Sequence, residues 1–344
     1  MIPHPLPSRV QSRFVSCDWG TSRLRLRLVE GADLLVTASL ESADGIAATF
    51  ARWSEVQERG GSRDAFYRSV LLGRIAELER LRGVRLTGIP LVISGMASSS
   101  IGMADLPYKT IPFAIDGSDL QTRIFQASQE FTHDILMISG VRDANDLMRG
   151  EEVQLVGALF NAPPVAGKRL LVFPGTHSKH VVVEGARATT VRTYMTGELF
   201  DLLVNRSVLG SSVDGRGSLD PAARQRAFEE GVRVGMAENF LHALFSVRVR
   251  GVLQQARNPE NFHYLSGLVL GAELKDLAPR DAAPLLIVAS AEAAARYRSA
   301  MAAVGFRGQI IEESVEKALV TGQARIAERV GMLELKRGAA ALNV

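Results

Sequence analysis

Regular alternation of apolar and polar residues marks the first part of the chain. Residues 13–20 have the pattern of a strand that ends in a turn at Gly20-Thr21, and residues 22–30 alternate leucine with arginine. A period of two is typical of a strand with one buried face. A third run, residues 34–40, follows a Gly-Ala-Asp sequence that favours a turn. We therefore predict three consecutive antiparallel strands.

Helical spacing replaces this alternation further along the chain. Residues 45–59 and 63–82 carry apolar side chains three or four positions apart, which predicts two helices. Short apolar runs at residues 90–96 and 133–141 end in small residues, as buried parallel strands often do. This change of period predicts that helices cover the faces of a mixed sheet.

The region between these two apolar runs is more polar. We expect a polar helix there, together with an edge segment at residues 108–115. A helix over residues 145–161 follows the second run. The first half of the chain is therefore predicted to have the order β-β-β-α-β-α-β-α.

The opening pattern recurs in the second half. Gly20-Thr21 is repeated as Gly175-Thr176, and V-E-G-A at residues 29–32 is repeated at residues 183–186, with one gap between the two matches. Strands are predicted around the second turn at residues 169–175, 179–184 and 188–194. We interpret this as an internal duplication on the scale of a domain.

The rest of the second half is mostly helical in pattern. The expected helices cover residues 197–209, 221–247, 258–277, 291–304 and 315–330. A buried strand is expected at residues 285–290, a short strand at residues 309–312, and a loop at residues 210–217. The whole chain is thus predicted to be an α/β protein with two domains, residues 12–147 and 148–335.

Length, charge and cysteine content exclude several classes of protein. A length of 344 residues agrees with about two domains, and the net charge is only +3. Arginines are scattered instead of forming a stripe with aromatic residues, so we expect no nucleic-acid partner. No apolar run is long enough to span a membrane, and the first residues do not resemble a secretion signal. A single cysteine indicates a cytoplasmic protein.

The two Gly-Thr turns are the first candidates for chemistry. Such a turn presents backbone N–H groups and a hydroxyl, which suit phosphate oxygens. The candidate phosphate-binding residues are Gly20, Thr21 and Ser22 in the first turn, and Gly175, Thr176, His177 and Lys179 at the second. If the turns faced each other across a cleft, they would hold a polyphosphate from both sides. Asp18 would then supply a carboxylate to Mg²⁺ or its waters.

A second group of candidates lies between the two turns. Arg149 could bind a substrate carboxylate or a transferring phosphoryl group, or could form an ion pair with Glu151 or Glu152. Asp146 is our candidate general base, with Glu151 as the alternative, although Asn and Asp also favour the start of a helix. Ser98 and Ser99 could bind a carboxylate at a helix N-terminus, or could belong to a polar loop without a ligand.

Five segments make the sequence resemble the 2-dehydro-3-deoxygalactonokinase family of the actin/hexokinase/acetate kinase superfamily. They are D-W-G-T-S at residues 18–22, M-R-G-E-E-V-Q-L-V-G-A at 148–158, F-P-G-T-H-S-K-H at 173–180, M-T-G-E-L at 195–199 and S-G-L-V-L-G-A-E at 266–273. The resemblance implies two ribonuclease H-like domains that flank an interdomain cleft. It also implies phosphorylation of 2-dehydro-3-deoxy-D-galactonate by ATP at the 6-hydroxyl, a step in galactonate breakdown.

The resemblance assigns further roles to single residues. An Asn-Asp pair at this junction commonly supplies the general base in the superfamily, and Asn145-Asp146 matches it. Ala289 and Ser290 mark the expected nucleotide edge, although the family usually has glycine where this chain has Ala289. Glu198, in M-T-G-E-L, is a candidate for binding sugar hydroxyls, and its place at the start of a helix is an alternative explanation.

Two other functions remain open from the sequence. One is phosphorylation of a different sugar or sugar acid by the same fold, and the other is a non-catalytic regulator that binds a nucleotide or sugar. Retention of Asp18, Asp146 and both Gly-Thr turns argues against the regulator. We expect ATP, Mg²⁺ and a sugar acid as ligands, and the sequence also allows a homodimer.

Overall fold

The computed structural model describes residues 13–57, 61–165, 167–277 and 283–335. The strands in chain order are β1 Arg13–Trp19, β2 Leu24–Glu30, β3 Leu35–Ser42, β4 Leu91–Gly95, β5 Lys109–Thr110, β6 Phe113–Ala114, β7 Thr122–Phe125, β8 Ile135–Ile138, β9 Val141–Arg142, β10 Leu147–Met148, β11 Lys168–Phe173, β12 Ser178–Glu184, β13 Arg187–Tyr194, β14 Leu285–Ala289 and β15 Ile310–Ser314. The α-helices are α1 Ile46–Gln57, α2 Arg63–Arg82, α3 Glu151–Asn161, α4 Thr196–Arg206, α5 Pro221–Ala237, α6 Phe240–Leu253, α7 Asn258–Leu274, α8 Ala291–Ala303 and α9 Val315–Arg329.

These elements form two units that each have their own packing. Unit 1 contains the described residues of Met1–Pro164, Ala186–Val191 and Val315–Val344, and unit 2 contains those of Val165–Gly185 and Arg192–Ser314. The predicted domain boundary at residues 147/148 stays a prediction. In the structure α3 belongs to unit 1.

The sheet of unit 1 has the strand order β3-β2-β1-β4-β8-β7. β1 is antiparallel to β2 and parallel to β4, and Asp18 lies opposite Arg25 on one side and Ser94 on the other. The leucines at alternate positions of β2 are fully buried, as the alternation predicted. This order brings the carboxyl ends of β1 and β4 side by side.

The sheet of unit 2 repeats that arrangement. The six strands of this second sheet have the order β15-β14-β11-β12-β13-β6, in which β11 is antiparallel to β12 and parallel to β14. β14 is parallel to β15 in turn. Each unit thus has three consecutive antiparallel strands and two further parallel strands beside the first. The fold is α/β with two ribonuclease H-like units, which confirms the predicted duplication.

Glycines allow helices to pack closely within each unit. A Cβ atom on Gly157 of α3 would lie 1.8 Å from the carbonyl oxygen of Ala318 in α9, and one on Gly322 of α9 would lie 1.9 Å from that of Val153. In unit 2, a Cβ on Gly231 of α5 would lie 2.0 Å from the carbonyl oxygen of Tyr264 in α7. Any larger residue would push these helices apart.

The last helix completes the interior of unit 1. Gln323 of α9 is fully buried, and its amide donates to the carbonyl oxygen of Cys17 at 3.0 Å and to Ser94 Oγ at 2.9 Å. Arg27 of β2, on the face opposite the leucines, pairs with Glu316 of α9 at 2.9 Å. These contacts fix β1 and β4, the strands that carry Asp18 and Gly95.

Three predicted elements are wrong. α3 begins at Glu151 instead of Asn145, because the preceding residues form a hairpin of β9 and β10. The polar helix expected between residues 96 and 133 is replaced by β5, β6 and β7 with a three-residue 3-10 turn. The helix expected over residues 221–247 is two helices, since Asn239 caps a new helix through its side chain.

No helix within the described ranges combines the length and the apolar character that crossing a membrane requires.

Candidate functional site

The first Gly-Thr turn joins β1 to β2 in unit 1. Its backbone is closed by a hydrogen bond from the Gly20 N–H to the Arg23 carbonyl at 2.9 Å. The first N–H groups of α1 donate to the carbonyl oxygens of Gly20 and Thr21, at 2.9 and 3.0 Å. Thr21 and Ser22 are exposed, and their N–H groups and hydroxyls have no hydrogen-bond partner among the described residues. These donors are therefore available to an anion.

Gly45 holds this turn against α1. A Cβ atom there would lie 2.2 Å from the carbonyl carbon of Ser22 and 2.4 Å from the oxygen of Thr21. Those neighbours are backbone atoms, so they cannot move aside as a side chain could. The sequence analysis did not single out Gly45, because its role depends on a tertiary contact.

Asp18 lies at the end of β1, next to the turn. Its carboxylate is 21% exposed and pairs with Arg25 Nη1 at 3.3 Å. Gly95 of β4 adopts a φ of +92°, and a Cβ there would lie 3.5 Å from Asp18 Oδ1. The same Cβ would lie 2.8 Å from the Trp19 carbonyl oxygen, so a larger residue at position 95 would press on the end of β1 that carries the carboxylate.

The donor set at Asp18 fits Mg²⁺ as kinases hold it. Mg²⁺ in phosphoryl-transfer sites is bound by one or two carboxylates, with waters and substrate phosphates as its other ligands. The described residues contain no group of three or more acidic, histidine or cysteine side chains that could hold a metal alone. A single partly exposed carboxylate agrees with a metal that arrives with a nucleotide.

Arg149 is fixed by neighbours from two other segments of unit 1. Its Nη1 donates to the carbonyl oxygen and Oγ of Ser98, both at 2.5 Å, and its Nε donates to the Tyr108 hydroxyl at 3.3 Å. The guanidinium also lies over the Tyr108 ring, 4.1 Å from its centroid. Nη2 has no partner in the described part of the chain. The ion pair with Glu151 or Glu152, left open by the sequence, is not what holds Arg149.

The two glutamates after Arg149 bind backbone instead. Glu151 accepts the N–H of Arg149 at 3.1 Å, and both oxygens of Glu152 accept the N–H of Gly150, at 2.9 and 2.8 Å. Glu152 is fully buried. Burial raises the pKa of its carboxyl to about 8, the charge of Glu151 adds to that rise, and these backbone hydrogen bonds oppose it.

Asp146 lies at the tip of the hairpin between β9 and β10. Asp143 stabilises this turn, because its side chain accepts the N–H groups of Asn145 and Asp146 at 2.6 Å each. Asp146 itself accepts the N–H of Leu147 at 2.8 Å and is partly exposed. Asp146 therefore belongs to a turn and not to the first turn of α3 as expected. Its role as general base stays a prediction.

Ser98 and Ser99 lie in the short 3-10 turn after β4 and its continuation. Ser98 is fully buried, and its oxygens accept from Arg149. The Ser99 hydroxyl donates to the carbonyl oxygen of Met96 at 2.7 Å. The α-helix N-terminus expected to support a carboxylate here is absent from this segment, and direct substrate binding by either serine stays a prediction.

The second Gly-Thr turn joins β11 to β12 in unit 2. The N–H of Glu198, in the first turn of α4, donates to the carbonyl oxygen of Thr176 at 3.0 Å. A Cβ on Gly197 would lie 2.7 Å from the Gly175 carbonyl oxygen and 2.8 Å from the Cα of Thr176. Gly175, Thr176 and His177 are exposed. A helix N-terminus and a glycine thus support this turn as they support the first.

Charged side chains surround the second turn. His177 Nε2 forms a hydrogen bond with Glu198 Oε2, so these two predicted site residues meet each other. Lys179 is almost fully buried, and its Nζ donates to the carbonyl oxygen of His177 at 3.1 Å. Binding of phosphate by Lys179 or of a sugar by Glu198 stays a prediction.

A pocket of about 200 Å³ lies beside the second turn within unit 2. It is lined by Pro174, Gly175, Ser178, Thr196, Gly197, Phe200, Ser266, Val269, Leu270, Ala293, Arg296 and Tyr297. The lining is mostly apolar, with a few hydroxyls and one guanidinium, as small-molecule sites usually are. Ser290 caps α8 through its Oγ, which accepts the Ala293 N–H at 3.3 Å, and Ala289 ends β14 just before it.

Sequence reasoning missed the buried polar residues below this pocket. Glu273 accepts hydrogen bonds from His180 Nε2 and the Tyr297 hydroxyl, both at 2.7 Å, and from Thr196 Oγ1. Tyr297 also bonds to Ser178 Oγ at 3.1 Å. Glu273 ends the motif at residues 266–273, but only the fold brings it to residues nearly a hundred positions away.

Comparisons with known proteins match this chain to one family. A family model described as 2-keto-3-deoxy-galactonokinase matches residues 18–326. The 2-dehydro-3-deoxygalactonokinase of Escherichia coli (strain K12) is 31% identical over 305 residues, which are 86% of this chain and 91% of that protein. A Rhizobium meliloti (strain 1021) protein, provisionally given the same name, is 31% identical over 270 residues, which are 76% of this chain and 79% of that one.

A solved structure extends the match to the fold. The crystal structure of a protein from Sinorhizobium meliloti, provisionally named a 2-dehydro-3-deoxygalactonokinase, superposes with a TM-score of 0.76 at 26% identity. The superposition covers 93% of this chain and 98% of that one. The chain therefore belongs to the 2-keto-3-deoxy-galactonokinase family.

Proposed function

We propose that this protein transfers the γ-phosphoryl group of ATP to the 6-hydroxyl of 2-dehydro-3-deoxy-D-galactonate, a step in galactonate breakdown. The observation that carries the proposal is the repeated turn: each unit presents an exposed Gly-Thr turn supported by a helix N-terminus. Backbone donors of this kind suit phosphate oxygens. Family membership supplies the reaction class and the substrate.

Unit 2 would bind the nucleotide. Its pocket adjoins Gly175 and offers apolar surface from α7 and α8 together with the guanidinium of Arg296. Apolar surface suits a purine base, and guanidinium and backbone N–H groups suit phosphates. Thr176, His177 and Lys179 would contact phosphate oxygens, and Ala289 and Ser290 would lie at the nucleotide edge.

Unit 1 would bind the metal and the sugar acid. Asp18 would hold Mg²⁺, directly or through water, and Gly20, Thr21 and Ser22 would contact phosphate. Bound Mg²⁺ neutralises charge on the phosphates during transfer. Arg149 presents a fixed guanidinium with Nη2 uncommitted, which suits the carboxylate of a sugar acid. Ser98 and Ser99 would complete the substrate contacts of this unit, and binding of sugar hydroxyls by Glu198 of unit 2 stays a separate prediction.

The chemical step needs a base for one proton. The 6-hydroxyl oxygen forms a bond to the γ-phosphorus while the bond from that phosphorus to the β,γ-bridging oxygen breaks, so ADP leaves with the electron pair. The hydroxyl proton passes to Asp146, or to Glu151 as the alternative base. A carboxylate of ordinary basicity is sufficient, because the proton moves late in such transfers.

A substrate panel tests the assignment. Purified protein is given MgATP with 2-dehydro-3-deoxygalactonate, its C4 epimer, glucose or N-acetylglucosamine, and ADP release is measured. Phosphorus NMR of the product identifies the phosphorylated hydroxyl. We expect the sugar acid to give a kcat/KM at least 100-fold above that of the neutral sugars, with the phosphate on C6. Equal activity on glucose would overturn the substrate assignment in favour of another sugar kinase.

Two variants assign the roles in the same assay. Asp146→Asn should lower kcat by about 100-fold while ATP still binds, because the base is lost and the shape is kept. Arg149→Lys should raise KM for the sugar acid about tenfold, since an ammonium cannot bond Ser98 and Tyr108 and also receive a carboxylate. An unchanged kcat in Asp146→Asn would shift the role of base to Glu151.

We also propose that the enzyme acts in the cytoplasm, in agreement with its single buried cysteine. A homodimer is the assembly that we propose to test by light scattering.

A further inference from the structure

A buried carboxylate in unit 2 receives hydrogen bonds from three separate segments of the chain. The Glu273 side chain is 1% exposed and lies near the end of α7. Its Oε1 accepts from His180 of β12 and Tyr297 of α8, and its Oε2 accepts from Thr196 at the start of α4. Burying a carboxylate is costly unless donors replace the lost water, so three donors on one group indicate a specific arrangement.

The direction of these hydrogen bonds is set by the carboxylate. Tyr297 donates its hydroxyl proton to Glu273, so its oxygen is left to accept from Ser178. Ser178 Oγ in turn accepts the N–H of Gly175 at 3.4 Å. A directed path of hydrogen bonds therefore runs from the second Gly-Thr turn through two hydroxyls to Glu273.

A second path reaches the same turn from the other side. Thr196, which donates to Glu273, is followed by Gly197, which packs against the backbone of Gly175 and Thr176. The next residue, Glu198, donates its N–H to the Thr176 carbonyl. Fixing Thr196 therefore fixes the start of α4 where it supports the turn.

His180 closes the arrangement around Glu273. Its side chain is 3% exposed, and its Nδ1 has no hydrogen-bond partner among the described residues. The imidazole therefore carries a proton on Nε2 and donates it in the hydrogen bond to Glu273. The imidazole also packs on the Tyr194 ring, with centroids 4.5 Å apart, so it has no freedom to turn away.

We propose that Glu273 is the positioning residue that sets the shape of the nucleotide site, by holding the second Gly-Thr turn through Thr196 on one side and through Tyr297 and Ser178 on the other. The proposal rests on the function proposed above. Four of these residues, Gly175, Ser178, Thr196 and Tyr297, also line the 200 Å³ pocket. Glu273 acts on the nucleotide through them and does not touch it.

The test compares two carboxylate-to-amide changes in the same segment. Glu273→Gln keeps the volume but replaces one accepting oxygen with a donor, so one of the three hydrogen bonds fails. Asp276→Asn is the matched control, because Asp276 also accepts from a tyrosine hydroxyl, that of Tyr194 at 2.6 Å, yet is exposed and has no hydrogen bond to Glu273 or to its three donors. Binding of ATP and of ADP is measured by calorimetry without the sugar acid, and steady-state kinetics give KM for each substrate.

We expect Glu273→Gln to weaken nucleotide binding and raise KM for ATP about tenfold, with kcat and KM for the sugar acid changed by less than threefold. Asp276→Asn should leave all of these within twofold. A general loss of structure would instead affect both substrates. Equal increases in the two KM values, or an unchanged affinity for ATP, would overturn the proposal, and so would an equal effect of Asp276→Asn.

Milder variants keep the test valid if Glu273→Gln does not fold. Two hydroxyl groups donate to Glu273, and Tyr297→Phe and Thr196→Val remove one each. Each variant should weaken ATP binding about threefold to fivefold. Thr196→Ser should restore it, because the hydroxyl returns. If neither variant moves ATP affinity the proposal is wrong. Wild-type protein that binds ATP but does not phosphorylate the sugar acid would contradict the proposed function alone.

Discussion

The two units build the same turn and support it with different chemistry. In unit 1 the turn rests on backbone contacts with α1 and Gly45, and a partly exposed acid, Asp18, precedes it. In unit 2 the turn rests on matching backbone contacts with α4 and Gly197, but the residue at the place of Asp18 is the buried Phe173, and side chains around Glu273 add to the support. The first turn therefore follows an acidic residue, and the second follows an apolar one.

Among the described residues each unit buries one glutamate, and these two differ in their donors. Glu273 accepts from three side-chain donors, whereas Glu152 accepts from backbone N–H groups and lies beside Glu151. The duplicated topology thus preserves the turn but not the polar groups around it. The two turns therefore differ in the charges around them.

The largest effect is expected from replacing the glycine that packs against each turn, which is Gly45 in unit 1 and Gly197 in unit 2. Gly45→Ala should lower the free energy of unfolding by about 3 kcal/mol, and Gly197→Ala by about 2 kcal/mol, because a Cβ at Gly45 comes closer to backbone. Chemical denaturation measures both. Gly73→Ala is the control, since a Cβ there meets nothing within 4 Å and alanine favours a helix interior. A stable Gly45→Ala protein would contradict the tight packing of the first turn.

The charge difference between the turns is tested by Asp18→Asn. We expect kcat to fall about 100-fold at a fixed Mg²⁺ concentration, and the Mg²⁺ titration to move to higher concentrations, because an amide is a poorer ligand for a hard cation. Glu41→Gln is the matched control, since Glu41 also pairs with Arg25, at 2.7 Å, but lies on β3. An unaltered Mg²⁺ titration in Asp18→Asn would refute the metal role.

The pH dependence of the free energy of unfolding tests what is distinctive about Glu152. The pKa of Glu152 is raised to about 8 in the folded protein, so the folded state holds a proton that the unfolded state releases at lower pH. Its contribution to stability is therefore full at low pH and is lost as pH rises through 8. We expect a loss of about 2 kcal/mol between pH 6 and pH 8 in the wild type from this group.

Glu152→Gln removes that titration and keeps the side-chain volume. Thermal denaturation should show a flatter pH profile in this variant and a higher melting temperature at pH 8 than in the wild type. If the two profiles run parallel from pH 6 to pH 8, Glu152 is not the titrating group.

Local pattern predicted much of this fold. The helix over residues 63–82 has the predicted bounds, and the leucines of β2 are buried as their alternation required. The repeated Gly-Thr turn correctly indicated a duplication, because a hairpin depends on residues close in sequence. These features need no knowledge of distant contacts.

The errors arose where one local signal serves two structures. Asn145 and Asp146 favour a helix start but equally favour a turn, and the side chain of Asp143 decided for the turn. Asn239 was hidden in a long helical pattern although it caps a new helix. Glu273 and Gly45 carried no local signal of their roles, because each depends on chain segments that only the fold brings together.

The contact between α9 and β1 also bears on how the protein is synthesised. Gln323 reaches the main chain of Cys17, so more than three hundred residues separate two partners in the interior of unit 1. A nascent chain that has released β1 to β4 still lacks the helix that covers that side of the sheet. Unit 1 therefore keeps apolar surface uncovered until the segment for unit 2 has left the ribosome, which lengthens the time during which the nascent chain can aggregate.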